Sequence, residues 1–162
     1  VAFCRWLSAS FPWARGARLP TEEEWEYACR AGTENRFWSG DSEEDLARVG
    51  WYGEGQKGRT HRVGEKPANP WGLYDVHGNV FEWTRSGWTD DYSEHRAGRE
   101  IDPSAVDAAD LAAACGARRV IRGGSFWYVA RFARSACRLG GVPWFRGEYL
   151  GFRVWLPAAP RS

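Results

Sequence analysis

The segment Arg119–Trp155, RVIRGGSFWYVARFARSACRLGGVPWFRGEYLGFRVW, constrains the fold more than any other part of the chain. Its two ends, Arg119–Ser125 and Leu150–Trp155, are short apolar runs broken by Gly and by arginines at alternating positions, the pattern of buried strands. Between them, residues 126–149 hold seven aromatics in 24 residues, with neither a helical period nor strict alternation. Gly, Pro and Arg interrupt this filling, so it predicts loops and short strands and not one core element. Aromatics displayed on loops supply large contact area at low entropic cost. The competing reading of the same residues is a core position, since Phe and Trp are usually well buried.

Upstream, the apolar spacing at Val1, Phe3, Trp6 and Leu7 predicts a helix over Val1–Ala9. It begins at full hydrophobic strength with no N-cap, as the interior of a longer domain would. A second helix is better marked. Thr21 with Glu24 forms a capping box, Glu22 and Glu23 place acid where the helix dipole favours it, and Trp25, Ala28 and Cys29 form the apolar stripe. Gly32 is placed to stop this helix. Residues 33–70 are polar, Gly-rich and dotted with Trp, and predict irregular structure. Gly72–Trp83, GLYDVHGNVFEW, reads as a tight turn entering a strand. Within the weakly patterned stretch 85–118, Ser104–Cys115 reads as a short helix in an insertion.

A chain of 162 residues with 43% hydrophobic and 27% charged residues supports a globular domain with a sizeable core. No run approaches the roughly 18 apolar residues of a membrane helix, and the start shows no signal-peptide pattern. A net charge of +1 with dispersed basic residues argues against a nucleic-acid surface. Lys stands only at positions 57 and 66, Gln occurs once and Met never. This fits a GC-rich genome, and also a hot habitat in which labile residues are depleted. The cysteines Cys4, Cys29, Cys115 and Cys137 have no metal-type spacing, and read as reduced thiols with a Cys4–Cys29 pairing left open.

Three separated motifs combine into a resemblance. RLPTEEEWEYACRAGT (Arg18–Thr33), GLYDVHGNVFEW and RVIRGGSF…RSACR…LGFRVW resemble, in order and approximate spacing, the formylglycine-generating-enzyme family of domains. The resemblance covers essentially the whole chain and implies one domain over residues 1–162 with a C-type-lectin-like fold: α+β, with much irregular backbone. Members normally carry a portion before the first helix that is missing here.

One scaffold hosts several activities, so the fold does not decide function. The family's copper enzymes use two cysteines shortly after the GGS motif, and soft thiolates are what select Cu(I). Here Ser125 is followed by FWYVARFA without a cysteine, and Cys137 stands alone elsewhere. The family's iron sulfoxide synthases take their metal from a three-His site in another domain, whereas His61, His77 and His95 fall on three separate loops. The resemblance is closest to the variable proteins of diversity-generating retroelements, in which adenine-directed mutagenesis rewrites the final segment; residues 119–155 are the candidate variable region. Ordinary members are commonly Asn-rich between GGS and GFR, whereas this interval has no Asn. Constant-looking residues (Arg134, Ser135, Arg138, Pro143, Arg146 and Leu150–Arg153) alternate with idiosyncratic filling.

The expected function is therefore non-enzymatic ligand binding. The filling residues Trp127, Tyr128, Val129, Phe132, Cys137, Leu139, Gly141, Val142, Trp144, Phe145, Gly147, Glu148 and Tyr149 should form one contiguous, largely exposed face for a protein or another large ligand. No cofactor is required, no catalytic residue is assigned, and display on a cell or phage surface is compatible with this reading. The alternative is an enzyme or accessory domain of the same family with its chemistry elsewhere. The resemblance also places Asp75, Gly78, Val80 and Glu82 at the family's second calcium site, two carboxylates and two backbone carbonyls on one turn; the first calcium loop is shortened around Val49–Glu65. The other reading of these residues is a turn shaped by Gly78 and Asn79, with Glu82 bonded to a backbone amide. Beneath the face, Trp25, Trp83, Phe152 and Val154 are expected in the core, with Arg122, Arg134 and Arg153 bonded to backbone or carboxylates.

Overall fold

A computed structural model describes residues 1–90 and 118–158; the helix expected over Ser104–Cys115 lies outside them. Three α-helices precede the sheet: α1 (Ala2–Ser10), α2 (Glu22–Arg30) and α3 (Glu43–Val49). Among the described residues four strands follow, β1 (Phe81–Gly87), β2 (Arg119–Arg122), β3 (Leu139–Gly141) and β4 (Leu150–Gly151), in the spatial order β3-β2-β1-β4. β3 and β1 run antiparallel to β2, while β4 runs parallel to β1. The architecture is α+β.

α2 forms as its sequence requires. Thr21 Oγ1 accepts the Glu24 N–H at 3.2 Å, and the Glu24 carboxylate accepts the Thr21 N–H at 2.8 Å, closing the capping box. The helix ends through Ala31 and Gly32, both in the left-handed region. α3 was not anticipated, yet it has its own capping box: Ser42 and Asp45 bond each other's backbone N–H groups at 3.1 Å. Its Leu46 packs with Phe37, Ala130 and Ala133 in one buried cluster.

The pleat separates the sheet's two faces. Glu82 pairs with Arg122 across β1 and β2, facing α2, while Trp83, Ile121 and Leu139 share the opposite face through register. On the α2 side the packing is bonded by charge. Glu22 is 1% exposed and takes Arg138 on both oxygens at 2.5 and 2.8 Å. Glu26 takes Arg122, which also donates to the Cys137 carbonyl. Glu24 takes both amino groups of Arg18. The run TEEEWE is thus both a helix start and a set of acceptors for frame arginines, and Trp25 is buried between them.

Four expectations for the frame need correction. Phe152 is 46% exposed, its ring against Phe3 of α1, and Trp83 and Val154 are half-buried. For Phe152 and Val154 the reason is topological: β4 is two residues long and lies at the sheet edge, so residues leaving it have a strand on one side only; Trp83, on the central β1, lies on the sheet face away from α2. Arg134 is exposed, although it does donate to a backbone carbonyl, that of Arg131. Arg122 and Arg153 are bonded as expected. Cys4 and Cys29 are buried free thiols.

Candidate functional site

The segment after β2 is fixed by its backbone, and its side chains alternate between buried and outward positions. Gly123 and Gly124 lie at φ +95° and +75°, and a Cβ on Gly124 would fall 2.7 Å from Ala133 Cα. Only glycine admits this approach. The Phe126 N–H donates to the Asn79 carbonyl at 3.0 Å, and the Phe126 and Tyr128 carbonyls accept from Glu54 and Gly53 at 2.8 and 2.9 Å. The short 3-10 turn Ala130–Ala133 sets its two alanines on Leu46 and Phe37. His77 Nδ1–H donates to the Ala133 carbonyl at 2.7 Å, and the Ser135 N–H donates to the Arg36 carbonyl at 2.8 Å. Phe126, Ala130, Ala133 and Ser135 are consequently buried.

None of the thirteen filling residues is buried. Val129, Trp144, Phe145 and Glu148 are exposed, and the other nine are partly exposed. Five rings form one connected cluster centred on Tyr149, whose ring centroid lies 5.8 Å from Trp127, 5.7 Å from Tyr128 and 5.9 Å from Phe145. Phe132 joins through Tyr128 at 5.3 Å, and Tyr128 rests on buried Phe81 at 5.3 Å. Phe81 shares its sheet face with Trp83, Ile121 and Leu139. A Cβ on Gly141 would lie 2.7 Å from the Trp83 ring, which places the β3 residues on the face that carries the cluster. Burial, with the Tyr128 phenol beside it, pushes the Tyr149 phenol up from its usual value. Tyr149 therefore stays a protonated donor at neutral pH.

The histidine and cysteines offer no reactive pair. Cys29 Sγ stands 3.9 Å from both ring nitrogens of His77, but burial pushes the thiol up to about 12 and the imidazole down to about 4. His77 is neutral, donating through Nδ1 and accepting the Trp38 N–H at Nε2, 3.0 Å away. Burial also raises the Cys137 thiol. Thiolates are the nucleophiles and the metal ligands, and neither cysteine is held as one. Among the described residues the copper chemistry of the family finds no thiolate pair.

The turn assigned to calcium is built differently from a cation site. Gly78 and Asn79 have positive φ, and the turn threads between two segments: Gly78 N–H donates to the Gly123 carbonyl and Asn79 N–H to the Trp51 carbonyl. Asp75 accepts the Gly64 N–H on Oδ2 at 2.8 Å, and its Oδ1 is buried without a partner. Glu82, however, accepts Arg153 on both oxygens at 2.5 and 2.6 Å and the Trp25 indole N–H at 2.6 Å. A carboxylate already matched by a guanidinium has no charge left for a hard cation, so Asp75, Gly78, Val80 and Glu82 do not fit Ca²⁺ as a set in this arrangement. No described helix is long and apolar enough to cross a membrane.

The family model of the sulfatase-modifying factor enzyme 1-like domain matches residues 1–157. The formylglycine-generating enzyme of Bos taurus is 35% identical over 94% of this chain and 40% of its own length. Among solved structures, Treponema denticola variable protein 1 superposes with a TM-score of 0.67 at 32% identity, over 85% of this chain and 46% of its own. PvdO from Pseudomonas aeruginosa gives a TM-score of 0.73 at 31% identity, over 94% and 56%. The chain thus spans about half the length of the proteins it matches, or less.

Proposed function

The chain belongs to the sulfatase-modifying factor enzyme 1-like family, and from that premise we propose that it is a non-enzymatic ligand-binding protein, the variable protein of a diversity-generating retroelement. Residues 119–155 are its variable region and the thirteen filling residues its binding face. One observation carries this reading: within residues 126–137, buried frame positions alternate with exposed or half-exposed filling, and five of the filling aromatics join into a single cluster. Changing such side chains leaves the main-chain bonds that hold the loop in place, which is what a diversified surface on a fixed scaffold requires. The similarity to Treponema denticola variable protein 1 supports it from an independent direction. An enzymatic role is the less supported alternative, because Cys29 and Cys137 have raised thiol pKa values and His77 is locked neutral. Binding on this face requires no metal.

Aromatic anchors commonly carry about 2 kcal/mol or more each in an interface, roughly thirtyfold in affinity. Replacing Trp127, Trp144 and Phe145 together by Ser should therefore abolish binding of a partner selected from a displayed library, with an unchanged melting curve. Retained binding would refute the assignment of the face. In the source DNA, a reverse-transcriptase gene beside a near-copy of the segment encoding residues 123–151 is the expected arrangement.

A further inference from the structure

The aromatic face is bordered by positive charge. Arg131, Arg134 and Arg146 are exposed. Arg134 donates to the Arg131 carbonyl and Arg146 to the Pro143 and Phe145 carbonyls, while the Arg131 guanidinium lies 4.9 Å over the Phe132 ring. Among the described residues none of the three has a carboxylate within ion-pair distance. The adjoining loop adds two more cations. Its Gly53 and Glu54 are bonded to the Tyr128 and Phe126 carbonyls, and a Cβ on Gly58 would fall 2.8 Å from the Phe126 ring. Lys57 and Arg59, both exposed, flank that approach. Within residues 126–149 Glu148 is the single carboxylate; the nearest other acids are Glu54, hydrogen-bonded to His61 at 2.7 Å, and the exposed Glu43 and Glu44 at the start of α3, beside Tyr52.

Guanidiniums with no carboxylate partner among the described residues, set around an apolar face that expels water, favour a partner with the opposite potential. Resting on the ligand-binding reading above, we propose that this face selects acidic protein surfaces, in which apolar side chains are flanked by Asp and Glu. Arg134 and Arg146 belong to the frame, not to the filling. The acidic preference is therefore a constant property of the site, while the filling decides which acidic partner fits. Nucleic acid also carries negative charge, but single strands are held by bases stacked on open aromatic faces. Here the rings are crossed into one another, Tyr149 meeting Trp127 at 51°, Tyr128 at 73° and Phe145 at 37°. That arrangement presents a corrugated apolar surface and not parallel platforms.

The test is to select peptides from a random displayed library against the whole chain and measure their affinity for three variants. The peptides should be rich in Asp and Glu beside apolar residues, and should weaken about tenfold or more from low to high salt, because exposed charge pairs are screened. The variant R131S/R134S/R146S should lose a similar factor at low salt, whereas R131K/R134K/R146K retains binding, both with parental melting curves. Neutral or basic peptides, or acidic ones indifferent to the Ser variant yet lost on Trp127→Ser with Phe145→Ser, would overturn the acidic preference and leave the binding face standing. Peptides indifferent to all three variants would overturn the face itself. A single-stranded oligouridylate that binds more tightly and displaces the peptides would overturn the choice of protein.

Discussion

Replacing Glu82 by Gln tests whether the charge network under the sheet holds this fold together. Glu82 is 7% exposed as a side chain and accepts three bonds: two from Arg153 and one from the Trp25 indole. Gln preserves the volume. At best its oxygen occupies the position of Oε2, shared by Trp25 Nε1 and Arg153 Nε, and its amide then points two hydrogens at Arg153 Nη2. The negative charge is lost, and Arg153 is left without its counter-ion. Removing one member of a buried ion pair costs about 3–5 kcal/mol. The Arg153 side chain is 25% exposed, so water recovers part of the loss and the lower end applies, about 3 kcal/mol. For a chain of this size each kcal/mol lowers the melting temperature by roughly 2–4 °C, so a fall of roughly 6–12 °C is expected. Thermal melts followed by circular dichroism at neutral pH measure it. The double variant E82Q/R153M should fall by less than the sum of its two singles, since it leaves no uncompensated charge. A Glu82→Gln melt within about 2 °C of the parent, or strict additivity in the cycle, would refute the reasoning.

Three further outcomes are expected. Burial lowers His77 from 6.5 to about 4 in the fold, so the unfolded chain binds the extra proton first. Stability is full above pH 6.5 and is lost as pH falls toward 4, by up to about 3 kcal/mol at 1.36 kcal/mol per unit, and a His77→Gln variant should lack that slope in pH-dependent melts. Gly78→Ala should destabilise by about 3 kcal/mol or more, because φ is +82° and the new Cβ would sit 2.0 Å from the Trp51 carbonyl oxygen; a folded variant with parental denaturant midpoint would contradict this close approach. Chelator should leave the melting temperature unchanged, since Arg153 already occupies Glu82; a clear drop, abolished in Asp75→Ala, would restore the calcium reading by mass action.

The parts of this fold that were legible in the sequence are those governed by local rules. Thr21 and Glu24 announce α2 because a capping box is a four-residue event, and the positive φ of Gly78 and Asn79 follows from the same kind of local chemistry. α3 carried the same kind of signal in Ser42-Glu-Glu-Asp45, and was hidden by the Gly and Trp residues around it. What local patterns could not supply was partnership across the chain. Glu82 looked like a metal ligand because nothing in GLYDVHGNVFEW reveals that Arg153, 71 residues on, fills its carboxylate. Phe152 looked like core because its apolar context is a strand pattern, and edge position is decided by topology alone. Glu22 and Glu24 of TEEEWE read as helix-start chemistry, yet three of the segment's four glutamates bind an arginine from elsewhere: Glu22 to Arg138, Glu24 to Arg18 and Glu26 to Arg122.

This division of labour bears directly on diversification. In residues 126–137 the backbone is positioned by contacts whose partners lie outside the segment: Asn79, Gly53, Glu54, His77, Arg36 and Arg122. Almost all of these contacts are made to main-chain atoms, which every residue supplies. The buried side chains that remain, Phe126, Ala130, Ala133 and Ser135, alternate with the exposed ones. A substitution at Trp127, Tyr128 or Phe132 therefore alters ring contacts, and one at Val129 an exposed side chain, while the main-chain bonds that hold the loop stay in place. Surface substitutions away from special backbone or buried features usually change stability by less than about 0.5 kcal/mol. Gly141 is the exception among the thirteen, because the Trp83 ring occupies the space that a Cβ would need. Its replacement should shift β3 or eject Trp83. If this region diversifies, Gly141 is the filling position with the narrowest range of tolerated residues, and its side of the face should vary least.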